Sequence, residues 1–338
     1  MGDRPTIADI AKELGVSPST VSRALRDHPA ISEARKAEVR AAAESLGFEV
    51  KAAPYSDASL VRPLVACIVP SLSHPFMSNF VERLEAEAAA RGYHLLVANS
   101  GGSPNTEKTI VDSLIARRVD GVFFIPTSFE STSLAECRAA LTTVIVTQVA
   151  PEWPSIGTSH EEGGALVAEH FMEQSRSSCL FIGPRYENEG KFQGFRNYLT
   201  ARRVTGFRFE QLVADGWDAN LSAGVQNTIL ARYNADSIRQ FDCIFGNNDI
   251  VAIGALHALQ DLGVSIPSEI AVAGFDDTPL AREVRPGLTS VAQSLGQMVR
   301  SAFFLLLRLQ AEEAIPAGER CIRLKPHLVV RGSTFLGP

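Results

Sequence analysis

The sequence is short of the features that would place it in several large classes. It has no apolar run of the roughly 20 residues that a membrane-spanning helix needs, Phe303 to Leu307 being far too brief, and its polar start carries no export signal, so a cytoplasmic chain is expected. It has no disulfide framework or zinc spacing: Cys67, Cys137, Cys179, Cys243 and Cys321 are scattered and odd in number, the pattern of buried, reduced thiols. It has no basic excess, since 32 Lys and Arg face 38 Asp and Glu for a net charge of −6, which excludes binding of polyanions by bulk charge. A phosphate loop, a glycine-rich dinucleotide fingerprint, a GxSxG elbow and a zinc-ligand cluster are all missing, so no cofactor, metal or catalytic residue is expected. His74, His160 and His257 read as surface, capping or packing residues rather than as catalytic ones.

What is present begins with Thr6 to Leu46, which reads as three short helices. Thr6 with Asp9 three residues later forms a capping box, and Ile7, Ile10, Ala11 and Leu14 make an apolar stripe. Gly15 allows a sharp turn. Ser17 then caps a second helix with Pro18 at its first position, where the missing N–H costs nothing. Val21 and Leu25 anchor that helix, leaving Ser19, Thr20, Ser22, Arg23 and Arg26 polar or partly exposed, as a groove-entering recognition helix requires. The third helix, about Ser32 to Leu46, brings Val39, Ala42, Ala43 and Leu46 to close a small core. With acidic and basic residues interleaved here, non-specific DNA binding is expected to be weak, and two headpieces are expected to act together.

Residues 48–63, FEVKAAPYSDASLVRP, have the Pro-containing, small and polar composition of a linker. Beyond them strand and helix patterns alternate: LVACIVP at 64–70, a helix Phe80 to Arg91, HLLVANS at 94–100, a helix Glu107 to Arg117, GVFFIP at 121–126, a helix near 131–140 and TVIVTQ at 143–148. The pattern restarts with helix Gly163 to Gln174, SCLFIGP at 178–184, helix Gly190 to Arg202, a weaker strand near 207–213, helix Ala219 to Tyr233, CIFGNND at 243–249, helix Val251 to Leu262 and IAVAGFDD at 270–277. Two similar lobes of open parallel sheet with helices on both faces follow from this, and a ligand is expected between them, where loops leave the carboxyl ends of the strands. A helix around Gln297 to Gln310 and strands around Arg320 to Val330 are expected to close one or both lobes.

TIADIAKELGVSPSTVSRAL at 6–25, FGNNDIVAIGALHALQDLGVSIP at 245–267, IAVAGFDD at 270–277, PGLTSVAQ at 286–293 and LVVRGST at 328–334 together resemble the LacI family of transcription regulators across essentially the whole chain. The resemblance implies an α/β fold with a helix-turn-helix headpiece over residues 1–47, a hinge linker over 48–63 and a two-lobed core over 64–338 like that of periplasmic binding proteins. Its N-terminal lobe is expected over about 64–161 and 292–320, and its C-terminal lobe over about 162–291 and 321–334. It also implies a homodimer, probing a near-palindromic operator as a repressor, whose cleft takes a small effector. No leucine heptad series follows the last strand, which favours a dimer.

Residue by residue, the resemblance gives groove-facing duties to Pro18 and Ser19, with Thr20 and Arg23 nearby. Arg23 is expected to read a guanine edge or to hold a phosphate, Thr6 to contact phosphate or simply to cap, and Leu60 to serve as the minor-groove wedge of a hinge in which Pro54 and Asp57 depart from the family pattern. For the effector it implies His74, Phe76, Gln148, Lys191, Trp217, Asn248, Asp276 and Gln293. Phe76 is expected either against an apolar ligand face or in the lobe core, Trp217 stacking on a ring, Asn248 or Asp249 as a ligand contact or a helix cap, and Asp276 accepting from hydroxyls. Lys191 stands where many members have arginine, and Gln148 where many have aspartate. A neutral sugar or polyol is expected first and a sugar acid held by Lys191 next. The competing reading is a cytoplasmic sugar-binding module without operator function.

Overall fold

The computed structural model describes residues 6–25, 31–46, 48, 63–184, 190–214 and 220–335. The chain divides into two compact units, residues 1–62 and 63–338.

In the first unit, α1 (Ile7–Glu13) is held at its start by Asp9, whose carboxylate accepts from the Thr6 amide at 2.8 Å and the Thr6 hydroxyl at 2.7 Å. Gly15 takes a φ of 64°, turning the chain into α2 (Pro18–Leu25), where the Ser17 hydroxyl accepts from the Thr20 amide at 3.1 Å. Ser32 caps α3 (Glu33–Ser45). Ile10, Ala11, Val21, Ala24, Val39, Ala42 and Ala43 form the buried core. Leu46, expected to close it, is 37% exposed; the half-buried Phe48 packs there instead.

In the second unit, the N-terminal lobe runs β1 (Leu64–Val69), α4 (Pro75–Ala90), β2 (His94–Asn99), α5 (Pro104–Arg117), β3 (Gly121–Phe124), α6 (Thr132–Ala140), β4 (Thr143–Thr147) and β5 (Ser155–Thr158). The C-terminal lobe runs α7 (His160–Glu173), β6 (Ser178–Gly183), α8 (Gly190–Ala201), β7 (Arg208–Val213), α9 (Leu221–Arg232), α10 (Ala235–Ile238), β8 (Cys243–Gly246), α11 (Asp249–Asp261), β9 (Ala271–Asp276), α12 (Pro279–Glu283) and β10 (Thr289–Ala292). The chain returns through α13 (Leu295–Gln310), α14 (Ala317–Arg320), β11 (Cys321–Leu324) and β12 (His327–Val329).

The first sheet has the order β11-β5-β4-β3-β1-β2 and is parallel throughout. The second has the order β12-β10-β9-β8-β6-β7 and is parallel except for β12, which runs antiparallel to β10. Alternate residues of each central strand serve opposite faces, which is why these strands are continuously apolar. Val65, Cys67 and Val69 join the core under α4 and α13, while Ala66 and Ile68 join the one under α5 and α6. In the other lobe Phe181 packs with Phe245 at 5.5 Å between ring centres, on the face covered by α7 and α8.

Two expectations are corrected here. The sequence places residues 321–334 in the C-terminal lobe, but β11 pairs with β5 and so completes the N-terminal sheet; the chain crosses between lobes after β5, after β10 and again between β11 and β12. The second sheet is also not wholly parallel: β12, entered directly from β11 of the other lobe across residues 325–326, runs antiparallel to β10. Of the cysteines, Cys67, Cys137, Cys179 and Cys243 are buried free thiols, while Cys321 is half-buried.

Candidate functional site

The carboxyl ends of the parallel strands carry the chemistry-bearing residues of the second unit. In the N-terminal lobe, His74 precedes α4 and is buried, with Pro75 starting the helix earlier than the expected Phe80. Phe76 turns into the lobe core with Phe80 and Leu84 and is 4% exposed, so packing is the role its position supports. Thr147 ends β4 with φ at 69°, and the half-buried Gln148 follows it.

In the C-terminal lobe, Lys191 is placed by the packing of α8 on α7. A Cβ on Gly164 would be driven into the Lys191 carbonyl oxygen, and one on Gly194 into the Glu161 carbonyl oxygen, so glycine at both positions permits the close crossing. The buried Lys191 ammonium donates to the Asn247 carbonyl at 2.7 Å and lies 4.3 Å from the centre of the Phe275 ring. His160 meets the same ring edge-on at 5.6 Å. Burial first, and the Lys191 charge second, push His74 down to about 4 and His160 down to about 3, so both are neutral at pH 7.

Asn248 caps α11, its side-chain oxygen accepting from the Val251 amide at 2.9 Å. Its neighbour Asp249 is fully buried and supports the adjoining turn. One carboxylate oxygen accepts from the Thr278 amide and hydroxyl at 2.6 and 2.8 Å, and the other accepts from the Ser290 hydroxyl at 2.5 Å. Burial, and then the charge of Asp276, push Asp249 up to about 7 against the pull of those donors. The turn it supports is strained: Asp276 has φ of 108° and Asp277 of 48°, conformations that a non-glycine residue holds only where the surroundings impose them. Asp276 accepts from the Gln293 side-chain amide at 2.7 Å, and the Gln293 oxygen is buried without a hydrogen bond among the described residues.

Asp276 and Gln293 both line a cavity of about 620 Å³ at the junction of the lobes. Its other walls come from α4 through Asn79 and Arg83, from α12 through Arg282 and Glu283, and from the start of α13 through Ser294, Gln297 and Arg300. A space of this size holds a small polar molecule, with the lining able to donate to and accept from hydroxyls. Thus Asp276 and Gln293 come together as expected, Lys191 gathers with His74 and His160, and Asn248 serves its helix. Asp249 was legible as an acidic residue at a strand end but not as a buttress, and the sequence reading missed Asn79, Arg83, Gln297 and Arg300. Trp217, Arg26 and Leu60 lie outside the described residues, as do the side chains of Ser19, Ser22 and Arg23. In the headpiece, Thr6 spends its hydroxyl proton on Asp9, Ser17 and Thr20 hydroxyls lie 2.8 Å apart, and Pro18 is exposed.

Comparison with known proteins agrees with this arrangement. The model of the LacI family of bacterial regulatory proteins matches residues 6–50, and that of the periplasmic binding protein-like domain matches residues 168–334. Catabolite control protein A of Staphylococcus xylosus is 28% identical over 335 residues, covering 97% of this chain and 99% of its own. The transcriptional repressor CytR of Escherichia coli K12 is 26% identical over 333 residues, covering 97% and 96%. A crystal structure of a LacI-family transcriptional regulator from Silicibacter pomeroyi is 25% identical, covers 98% of this chain and 99% of its own, and superposes with a TM-score of 0.69. The chain belongs to the LacI family of bacterial regulatory proteins. It is accordingly a DNA-binding, ligand-responsive transcription regulator and not an enzyme. Among the described residues no helix is long and apolar enough to cross a membrane.

Proposed function

We propose that the protein is a repressor that binds a near-palindromic operator as a homodimer and responds to a small carbohydrate-like effector held between the lobes of its core. The observation that carries this reading is Asp276. Its carboxylate stands at the end of β9 in a strained turn, is oriented by Gln293 and lines the interlobe cavity. A carboxylate so held accepts from paired hydroxyls, and Gln293 and Asn79 add neutral polar groups beside it. Because the cavity takes residues from both lobes, any change in the lobes' relative placement would alter its fit to a bound molecule, and such unequal affinity is all that coupling to DNA affinity requires.

The test is calorimetric titration of the full-length protein with sugars, polyols and sugar acids, repeated with Asp276→Asn. Loss of a charged hydrogen-bond acceptor is expected to weaken binding of the active compound by about 10- to 100-fold. Unchanged affinity in a folded Asp276→Asn protein removes Asp276 from the site and the carbohydrate reading with it.

A further inference from the structure

The cavity has a polarity that its strand-end residues do not explain. Arg83 on α4 and Arg300 on α13 line its N-terminal-lobe wall, and among the described residues neither guanidinium has a carboxylate partner. Arg83 is steadied by Asn79, to whose side-chain oxygen its Nε donates at 3.0 Å, leaving the two terminal nitrogens of the fork for another acceptor. Arg300 is folded back along its own helix, a terminal nitrogen standing 3.4 Å from where a Cβ on Gly296 would lie, and Gly296 also lines the cavity. Glycine there leaves room for the guanidinium to rest against the helix.

The opposite wall is acidic in composition, yet Asp276 and Asp277, two of its three carboxylates, are engaged. Asp277 accepts from Arg331 at 2.5 Å and lies 3.5 Å from Arg282, and Asp276 is held by Gln293 at 2.7 Å. Glu283 remains as a charge at the α12 end of the cavity. One wall therefore presents two arginines, while on the other Asp276 and Asp277 are already oriented by their own partners and Glu283 stands at the edge. A guanidinium fork without a carboxylate matches a carboxylate or phosphate group in shape as well as in charge.

We infer that the effector carries an anionic oxygen group, a carboxylate or a phosphate, which Arg83 and Arg300 hold, while Asp276 at the far wall accepts from its hydroxyls. This rests on the carbohydrate reading of the cavity and narrows it to sugar acids or sugar phosphates. It also assigns a specificity role to two arginines that sit apart from the strand ends. Lys191 is not required for the anion, because it does not line the cavity; its ammonium donates to the Asn247 carbonyl beside the Phe275 face.

The experiment titrates the full-length protein with matched hexose and pentose sets: D-glucose, D-gluconate and D-glucose 6-phosphate, and D-ribose, D-ribonate and D-ribose 5-phosphate, at one ionic strength, with inorganic phosphate alone as control. Arg83→Gln and Arg300→Gln are made in parallel; both side chains are exposed, so the fold is retained. In at least one set an anionic member is expected to bind tenfold or more tightly than its neutral parent. Each variant is expected to weaken the anionic member by about 10- to 100-fold while changing the neutral parent by less than threefold, since a hydrogen bond to a charged group is worth about 1.5–3 kcal/mol. The carboxylate and phosphate arms show which acid the site prefers. Neutral parents binding as tightly as their acids overturn this inference and leave the carbohydrate reading standing. Equal weakening of neutral and anionic members in the variants also overturns it, because the arginines then act by pairing with Glu283 as the lobes close. No binding by any member overturns both.

Discussion

His74 and His160 are bases kept neutral inside the second unit, at about 4 and about 3, while the unfolded chain protonates them at an ordinary histidine value near 6.5. Below 6.5 the unfolded state therefore binds more protons, and stability is lost as pH falls towards 4. Asp249 acts with the opposite sign: held up to about 7, it keeps its proton between the ordinary aspartate value and 7 while the unfolded chain releases it, so its contribution declines as pH rises through that window. Two histidines against one aspartate leave stability rising with pH between about 4.5 and 6. His160→Gln is expected to flatten that rise by roughly 1.4 kcal/mol per pH unit, the value of one proton, and Asp249→Asn to steepen it. Urea unfolding of residues 63–338 across this range checks both, and identical slopes in wild type and His160→Gln would exclude a His160 held neutral by the fold. Asn248 allows a second separation at this scale. Asn248→Asp keeps a good helix cap, whereas Asn248→Ala loses about 1 kcal/mol of stability. If only the alanine variant affects effector binding, Asn248 acts as a cap and makes no ligand contact through its amide nitrogen.

At the scale of elements, the crossing of α7 and α8 bears on the cavity indirectly: Lys191 and His160, which begin those helices and do not line it, pack on Phe275 beside Asp276. Gly164→Ala places a methyl group against the Lys191 backbone and is expected to destabilise the second unit by about 1–3 kcal/mol or more, and to lower ligand affinity by displacing α8. A thermal melt with and without ligand measures both effects. The sequence shows this pair of glycines only as residues that weaken a helix, since the backbone they approach is distant in the chain. The same non-locality explains what else was illegible. β5, SIGT, is four residues long and contains a glycine, and β11 is recognisable as a strand but its pairing with β5 is set by a crossover, not by its composition. By contrast the long apolar strands and amphipathic helices are readable from period alone, whereas Asp276, Gln293 and Lys191 stand out only through the resemblance of their motifs to the family. Arg83 and Arg300 were not, because an arginine on the exposed face of a helix looks the same in sequence whether it faces solvent or a cavity.

For the whole molecule, the division into residues 1–62 and 63–338 predicts separable activities. The fragment 63–338 is expected to keep its cooperative unfolding and its effector affinity within about twofold while losing all operator binding; a fragment that no longer binds effector would show that the site depends on the headpiece. Overall charge bears on the first unit at this scale. A chain with net charge of −6 gains little from phosphate attraction at large, so in the proposed homodimer operator affinity is expected to depend on two headpieces together and to fall steeply on dilution. Regulation by this protein requires coupling between the cleft and the headpieces. The most direct measurement is selection of full-length protein on random DNA duplexes, followed by affinity for the enriched site with and without the cleft ligand, in wild type and Asp276→Asn. The expected result is one two-fold-symmetric site whose affinity shifts with ligand in wild type and stays fixed in the variant. An enriched site whose affinity no cleft-binding ligand alters, or one that responds equally in Asp276→Asn, would contradict it.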